Sequence, residues 1–490
     1  MLSARAMMPS QMTPAQQTLI DAVRSRFGEK AVTTDPRDIA PWLNDWRGRY
    51  FGASPAILSP ASRDEVSAIV ALAHQARIPL VPQGGNTSMV GGATPPADGS
   101  ALILSLRRMN RIRSLSPDEN LAVAEAGVIL PELHDAALSQ GRRFPLTLGA
   151  KGSATVGGLV STNAGGTQVL RFGTMRSLVA GVEAVLPDGS VHDGLAALKK
   201  DNRGYDINQL LIGAEGTIGV ITAASLRLVP AIAARAVAWV ALESPHAALA
   251  LLRSIDMPAI ESFEIVPGDS LALVLKHIPG TRAPLEGVHP WHVLIEAVSS
   301  EAGGEPPAAL LERLLGPALE SGLVQDAVIA ANETQAEALW RIRDSLSEAE
   351  RASGPAVQHD ISVPVSGMPD FMIDGAAEAE RRFPGTHATA FGHLGDGNVH
   401  FHVRAPEGMA RDLFYAELAP SITALVHDMV VAAGGSISAE HGIGQMKRDE
   451  LARLGPASRI AMLSAIKSAF DPHGLFNPGK LVLAPTANTP

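Results

Sequence analysis

Apolar residues recur at helical spacing in two segments near the start of the chain. Residues 13–27 have this spacing, with Thr13 placed as N-cap and Pro14 at the first helical position. Residues 62–76 begin with Ser62 and Glu65, which have the spacing of a capping box. Both segments are therefore predicted as amphipathic helices with one buried face.

Alternation between apolar and polar residues predicts strands throughout the chain. Before residue 230 the predicted strands are 79–82, 101–106, 121–128, 179–185 and a strand that ends at Pro230. After Ala231 the strands are longer, at 236–244, 292–300 and 327–333, and helices are predicted at 247–255, 308–315, 333–351, 367–382 and 458–470. The mixture indicates an α+β architecture whose second part contains an antiparallel sheet.

Composition narrows the classes of partner. A chain of 490 residues predicts two or three domains, and its formal charge of −10 argues against nucleic acid and anionic membrane as main partners. The absence of cysteine excludes disulfides, cysteine-ligated zinc and iron–sulfur clusters. No apolar run has the length of a membrane span, and we expect a cytoplasmic protein, or a mitochondrial matrix protein in a eukaryote.

Three glycine-rich segments are each attached to a predicted strand. In QGGNTSMVGG (83–92), glycines allow backbone N–H groups to point inward, as a pyrophosphate site requires, although a surface loop explains the pattern equally well. Residues 144–176 are almost uncharged and are both apolar and glycine-rich, which favours close approach of the backbone to a large flat ligand over a flexible loop. The third segment contains a tight turn at Glu215 and Gly216, which precedes the strand that ends at Pro230. None of these segments has the spacing of a dinucleotide-binding Rossmann loop.

The stretch 391–403 concentrates histidine, with Glu440 further along. His400 and His402 are predicted on one face of a strand, and a hairpin would bring His393 close to His400. Two histidines and a carboxylate form a ligand set typical of catalytic metal sites, for zinc, manganese or cobalt. From these residues alone, structural histidines are the favoured alternative.

The glycine-rich segments PQGGNTS (82–88), FPLTLGAKGSATVGGLVSTNAGG (144–166) and GAEGTIGVIT (213–222) resemble the FAD domain of vanillyl-alcohol-oxidase-type flavoproteins. The resemblance implies that the first segment wraps the pyrophosphate, the second lines the cofactor from adenine to isoalloxazine, and the third supplies backbone contacts. Residues 82–92 and 145–166 lack the histidine or cysteine of covalent members, so noncovalent FAD is expected. The implied cofactor-binding residues are Pro82, Gly84, Gly85, Asn86, Thr87, Ser88, Pro145, Leu148, Gly149, Ser153, Gly157, Gly158, Ser161, Asn163, Gly165, Glu215, Gly219, Ile221 and Asn477.

The motifs GHLGDGNVH (392–400), SAEHGIG (438–444) and FDPHGLFNPGK (470–480) are similar to the C-terminal signature of FAD-linked D-2-hydroxyacid dehydrogenases. The resemblance covers residues 40–484 and implies one divalent metal, usually zinc, at His393, His400 and Glu440. It also implies that His441 is the general base and that Asn398 contacts the substrate. In that chemistry the substrate hydroxyl loses its proton to the base, hydride passes from C2 to flavin N5, and a 2-oxo acid forms.

The same resemblance points to a distal substrate pocket. Arg343 and Ser347 match an Arg and a Thr that are associated with the far carboxylate of hydroxyglutarate, but Gln358 stands where a lysine is expected. D-2-hydroxyglutarate is therefore the first choice of substrate, only narrowly ahead of D-lactate or glycolate, because glutamine offers a neutral hydrogen bond instead of a cation. An inactive flavin-binding scaffold subunit and an ether-lipid synthase of the same fold remain as alternatives, and the intact histidine and glutamate set disfavours the second.

The sequence suggests three consecutive parts and leaves the redox partner open. We expect an FAD-binding domain at 1–230, a substrate-binding cap at 231–430, and a segment at 431–490 that completes the active site and the flavin domain. Residues 474–480 match the spacing of a P-loop, but Leu481 replaces the required Ser or Thr. The electron acceptor is expected to be an electron-transfer flavoprotein, a quinone or a cytochrome, and the family pattern is compatible with a homodimer.

Overall fold

The computed structural model describes residues 12–150, 152–255, 257–300 and 304–482. These residues form two compact units. The first comprises the described residues up to Ala164, Thr174–Val229, and those from His441 onward, and the second comprises Gly165–Gly173 and Pro230–Glu440.

Short strands and two long helices build the start of the first unit. The strands in chain order are β1 (Val32–Thr33), β2 (Ile57–Leu58), β3 (Leu80–Gln83), β4 (Leu102–Ser105), β5 (Ile112–Ser116), β6 (Leu121–Glu125), β7 (Arg142–Arg143), β8 (Val179–Val185), β9 (Val191–Asp193), β10 (Val220–Arg227) and β11 (Val229–Pro230), which ends at the border of the unit. Its helices are Pro14–Phe27, Pro36–Ile39, Arg63–Ala76, Leu130–Leu138, Val156–Thr162, Met175–Leu178, Ile207–Leu211, Arg448–Leu454 and Ala457–Phe470.

Two sheets organise this unit. A four-stranded sheet has the order β1-β2-β4-β3, with β4 parallel to both of its neighbours, and a five-stranded antiparallel sheet has the order β5-β6-β10-β8-β9. Leu80 and Leu102 of the first sheet share a buried core with Ile20 and Ile69 of the two long helices. The predicted caps are confirmed, because the hydroxyl of Thr13 accepts the N–H of Gln16 and the hydroxyl of Ser62 accepts the N–H of Glu65.

The second unit is built on one antiparallel sheet, as the sequence predicts. Its strands are β12 (Ala234–Leu242), β13 (Ile260–Pro267), β14 (Trp291–Ser299), β15 (Asp326–Ile329), β16 (Ala356–Ser362), β17 (His387–His393) and β18 (Asn398–Arg404), in the order β15-β12-β14-β13-β17-β18-β16. Its helices are Val169–Phe172, Pro245–Ser254, Gly268–His277, Pro307–Glu320, Glu333–Asp344, Leu346–Ala352, Met368–Arg382, Arg411–Glu417 and Ala419–Ala432.

Both faces of this sheet are covered by helices. Phe263 and Phe401 belong to the core on one face, and Trp239, Val266 and Phe391 belong to the core on the other. Side chains alternate between the faces along each strand, so a polar residue in this sheet is buried whichever way it points. Polar groups found there need specific partners.

Three features of the structure were not predicted from the sequence. Strand β13 was not predicted, and the helix predicted over 333–351 is interrupted at Ser345, which ends one helix and precedes the next. The glycine-rich segment that begins at residue 144 contains the short helices Val156–Thr162 and Val169–Phe172 and leads into Met175–Leu178. Among the described residues, no helix has the length and apolarity needed to cross a membrane.

Candidate metal and flavin sites

A tight hairpin brings two histidines together in the second unit. Strands β17 and β18 pair Phe391 with His400 and His393 with Asn398, and the rings of His393 and His400 lie 5.6 Å apart. The hairpin requires glycine at Gly392, because a Cβ there would lie 2.1 Å from the Asn398 carbonyl oxygen. The predicted approach of His393 to His400 is thus present in the structure.

A loop carries Glu440 to the same place. The loop follows the helix Ala419–Ala432, and the N–H of Glu440 donates to Asp360 Oδ2 at 3.0 Å. His393, His400 and Glu440 each offer a ligand atom, and these atoms all lie within 4.8 Å of one another. Two imidazoles and one carboxylate at this separation fit a divalent metal and leave coordination positions open, as in catalytic sites.

Glu264 on β13 contacts this cluster through His393. Its Oε1 lies 2.6 Å from His393 Nδ1, and its Oε2 accepts hydrogen bonds from Arg343 Nε at 2.8 Å and Nη2 at 2.7 Å. A carboxylate on Nδ1 fixes the ring orientation of a histidine and directs Nε2 toward a ligand. Here Nε2 of His393 is 3.9 Å from Glu440 Oε1.

Burial and close charges shift the pKa values of three residues in the cluster. Burial would raise the pKa of Glu264, but Arg343 and His393 lower this pKa to about 2. Burial would lower the pKa of His393, but Glu264 raises it to about 9. Burial raises the pKa of Glu440 to about 7, with Asp360 acting in the same direction. A metal ion that bound here would displace the protons of His393 and Glu440, because only neutral imidazole and ionised carboxylate act as ligands.

Asn398 is positioned on the same face of the sheet with one polar atom unused. Its Nδ2 donates to Asp360 Oδ1 at 3.0 Å and to the Ile361 carbonyl oxygen at 2.9 Å. Its Oδ1 is buried and has no hydrogen-bond partner within the described part of the chain. A buried amide oxygen normally has a partner, so this atom fits a polar group of a bound ligand.

The residues predicted for the distal pocket are distributed differently from the expectation. Arg343 is buried and engages Glu264, while Ser347 lies beyond the helix break, half-buried, and its side chain has no hydrogen bond among the described residues. Gln358 lies two residues before Asp360 on β16, on the same side of the strand. The one-turn spacing expected between Arg343 and Ser347 is therefore altered by the break at Ser345.

His441 follows Glu440 directly in the chain and belongs to the first unit, where it is half-buried. The loop after it is held by Glu215, whose Oε1 accepts the N–H of Ile443 and whose Oε2 accepts the N–H of Gly444, both at 2.7 Å. The predicted base is thus attached to a fixed backbone segment.

The glycine-rich segments lie against one another in the first unit. A Cβ on Gly85 would lie 1.8 Å from the Ser153 carbonyl oxygen, and one on Gly84 would lie 2.1 Å from Thr155 Oγ1. The predicted cofactor-binding residues in this unit are Pro82, Gly84, Gly85, Asn86, Thr87, Ser88, Pro145, Leu148, Gly149, Ser153, Gly157, Gly158, Ser161, Asn163, Glu215, Gly219, Ile221 and Asn477. Gly165 is the exception and belongs to the second unit.

Asn477 joins these segments and has an unused acceptor. Its N–H donates to the Leu80 carbonyl oxygen, and its Nδ2 donates to the carbonyl oxygens of Gly92 at 2.8 Å and Glu215 at 2.7 Å. Its Oδ1 is buried without a partner among the described residues. An unpaired polar atom where three glycine-rich or turn segments meet fits the polar edge of a flavin cofactor.

Two residues that bind the candidate metal ligands, Glu264 and Asp360, were not predicted from the sequence. Both lie on strands of the central sheet and are at most 4% exposed. The available signal was a carboxylate inside an apolar strand, which is costly to bury without a partner. That signal could not be used for Glu264, because β13 itself was not predicted.

Comparison with known proteins covers almost the whole chain. Residues 54–194 match the FAD binding domain, and residues 232–481 match the C-terminal domain of FAD linked oxidases. A mitochondrial D-2-hydroxyglutarate dehydrogenase of Arabidopsis thaliana is 36% identical over 460 residues, covering 93% of this chain and 80% of that protein. A D-2-hydroxyglutarate dehydrogenase of Xanthomonas citri is 36% identical over 451 residues, covering 92% of this chain and 94% of that protein.

Other relatives extend the range of names and confirm the fold. A mitochondrial protein of Schizosaccharomyces pombe, provisionally named a D-lactate dehydrogenase, is 34% identical over 464 residues, covering 92% of this chain and 86% of that protein. The structure of p-cresol methylhydroxylase matches with a TM-score of 0.72 at 16% identity, over 97% of this chain and 98% of that chain. This chain belongs to the FAD-linked D-2-hydroxyacid dehydrogenase family, has the vanillyl-alcohol-oxidase-type fold, and is an FAD-dependent oxidoreductase.

Proposed function

We propose that the protein oxidises a D-2-hydroxy acid to the 2-oxo acid, with D-2-hydroxyglutarate as first choice of substrate. The observation that carries the proposal is the cluster of His393, His400 and Glu440, with Glu264 on the far nitrogen of His393. The names of the relatives from Arabidopsis and Xanthomonas support the choice of acid.

His393, His400 and Glu440 would hold one divalent metal, with zinc as first choice and manganese or cobalt as alternatives. A bound metal of this kind supplies Lewis acidity that lowers the pKa of a coordinated hydroxyl. Noncovalent FAD supplies the hydride acceptor at N5. The chain's own task is to fix the ligand orientation, which Glu264 does for His393 and Asp360 does for the backbone of Glu440.

His441 in its neutral form would act as general base and take the proton of the substrate's 2-hydroxyl group. Asn398 would contact the substrate through Oδ1, because its Nδ2 is already bonded to Asp360 and to the Ile361 carbonyl. An amide oxygen accepts hydrogen bonds only, so Asn398 selects a hydroxyl donor on the substrate.

A second candidate, D-lactate or glycolate, is favoured by the distal residues. Arg343 already shares its charge with Glu264, and Gln358 adds a neutral group in place of a cation. A far carboxylate would therefore meet less net positive charge than the resemblance alone implies.

A substrate panel followed by absorbance tests these alternatives. The FAD-loaded protein is mixed without oxygen with D- and L-2-hydroxyglutarate, D-lactate and glycolate, and the flavin band at about 450 nm is followed. Bleaching by the D acid but not by its L form is expected, and a protein that no acid of the panel bleaches would contradict the proposed substrate class.

The redox partner is proposed by class. Reduced flavin would pass electrons to an electron-transfer flavoprotein, a quinone or a cytochrome, with a homodimer as the proposed assembly. Several relatives are named as mitochondrial, and a matrix location is proposed for this chain if its source is eukaryotic.

A further inference from the structure

We infer that Glu215 is a positioning residue for His441, acting through the backbone of residues 442–444. The inference rests on the proposed role of His441 as base and adds the group that holds it. The carboxylate of Glu215 accepts two N–H groups, from Ile443 and Gly444, each at 2.7 Å. These are the second and third residues after His441, so the orientation of the loop depends directly on this carboxylate.

The backbone of Glu215 shows that its side chain is specifically required. Its φ is +52°, a left-handed conformation that glycine adopts easily and a glutamate rarely does. The next residue, Gly216, also has a positive φ, at +69°. A turn alone would be better served by glycine at both positions, so the presence of glutamate at the first indicates a function of the carboxylate.

Glu215 is favoured in its ionised form by the charge of Lys447 as well as by the two backbone N–H groups that its carboxylate accepts. It is 7% exposed, and burial raises the pKa of Glu215, while the N–H groups of Ile443 and Gly444 act in the opposite direction. Gly442 and Gly444 have φ values of +80° and +54°, and glycine permits successive N–H groups to converge on one anion. Side chain and loop are therefore complementary.

The same loop is fixed on its other side to the first glycine-rich segment. The Val90 carbonyl oxygen accepts the N–H groups of Gln445 and Met446, and Gln445 Nε2 donates to the Gly91 carbonyl oxygen at 2.9 Å. The main chain of Glu215 continues the network, because its N–H donates to the Ser161 carbonyl oxygen. Residues predicted to bind FAD thus also determine where the base is held.

Two substitutions distinguish the effect of the Glu215 carboxylate from the effect of the left-handed backbone at this turn. Glu215→Gln keeps the shape and one acceptor oxygen, and Glu215→Gly relieves the backbone but removes both acceptors. The matched control is Glu183→Gln, another buried carboxylate of the first unit, which binds Arg113 and Thr222. His441→Ala is measured in parallel to test the proposed base itself.

Flavin reduction by D-2-hydroxyglutarate and by D-lactate is measured by stopped flow on FAD-loaded protein. A displaced base costs up to about 100-fold in rate, so we expect about that loss for Glu215→Gly and about 10-fold for Glu215→Gln. KM should change little, and the solvent isotope effect should rise because proton transfer becomes slower. Hydrogen exchange should accelerate at the amides of residues 443 and 444 in Glu215→Gly, and Glu183→Gln should show none of these changes.

The results that overturn the inference are distinct from those that overturn the proposed function. If His441→Ala loses reduction but the Glu215 variants react like Glu183→Gln, Glu215 does not position the base, and the proposed function stands. If exchange at residues 443 and 444 accelerates without loss of rate, the loop is held by Glu215 but His441 is not. A fully active His441→Ala, or a wild-type protein that neither acid reduces, overturns both proposals.

Discussion

Glu264 connects two residues that the family resemblance assigns to different tasks. Its carboxylate contacts His393, a proposed metal ligand, and Arg343, a proposed substrate anchor, and it is 1% exposed. Because the three side chains share hydrogen bonds, we expect a change at Glu264 to affect both the proposed metal ligand and the proposed substrate anchor. A buried charge that loses its partner is costly, which explains why Arg343 is directed toward Glu264 here.

Replacing Glu264 with Gln should weaken metal binding by about 10- to 100-fold, because the carboxylate that orients His393 becomes a neutral amide. The affinity is measured by competition with a chromogenic zinc chelator. The matched control is Glu261→Gln on the same strand, where the native carboxylate binds Arg171 and not the cluster. Equal zinc affinities for the two variants would show that Glu264 does not orient the ligand.

Gln358 is the second residue whose identity bears on specificity. Gln358→Lys should raise kcat/KM for D-2-hydroxyglutarate relative to D-lactate by about 10-fold, because a charge-assisted bond to a carboxylate is worth about 1–2 kcal/mol more than a neutral one. Both constants are determined with the same artificial electron acceptor. Gln358→Met serves as control for side-chain length, and an unchanged ratio in Gln358→Lys would remove this residue from the distal pocket.

At the scale of elements, the interior strand β14 contains a buried histidine. His292 is 3% exposed, packs against Trp239 at 5.7 Å between ring centroids, and burial lowers its pKa to about 4. Its Nδ1 has no partner among the described residues. The neutral form is therefore required for the folded state, and protonation opposes folding.

The sign of the pH effect follows from this lowered pKa. Below the ordinary pKa of about 6.5 the unfolded chain binds a proton that the folded chain does not, so stability falls as pH decreases from about 6.5 to 4. His292→Leu should reduce this acid sensitivity, by about 2 kcal/mol between pH 7 and pH 5. Urea unfolding at both pH values measures the difference, and His246→Leu at an exposed site is the control. Identical pH dependence in wild type and His292→Leu would contradict the assignment.

Local patterns predicted the elements whose cause is local. The hairpin around His393 depends on the glycines of its turn, and the first helices depend on caps at Thr13 and Ser62, all visible in sequence. Strand β13 was missed because both of its faces are buried, which removes the clear polar and apolar alternation. The break at Ser345 separates a helix that packs on β12 and β14 from one that packs on the helix Gly268–His277, and no glycine or proline marks it.

At the scale of the whole molecule, the composition change at Ala231 lies next to the border between Val229 and Pro230. The chain also changes unit at Ala164, Gly173 and Glu440, and these crossings are set by contacts distant in sequence, which local periodicity does not report. The family resemblance indicated the proposed metal ligands and the proposed base. Their contacts Glu264, Asp360 and Glu215 were identified only from the structure.

The distribution of residues between the units predicts that metal and flavin can be removed separately. The residues proposed for the metal, His393, His400 and Glu440, belong to the second unit, and nearly all residues proposed for FAD belong to the first. Chelation should therefore slow the reduction of the flavin by D-2-hydroxyglutarate at least about 100-fold, while the flavin absorbance is retained. Added zinc or manganese should restore the rate and also raise the melting temperature, because a ligand that binds only the folded state stabilises it.

Two histidine variants make this experiment specific. His393→Ala should resemble the chelated protein and should not respond to zinc. His402→Gln is the matched control, because His402 lies on β18 beside His400 but outside the ligand group. It should keep both the metal and the response to chelation. If metal analysis shows an empty protein that still reduces its flavin at the normal rate, the metal has no part in the reaction, although the FAD-dependent oxidation itself would stand.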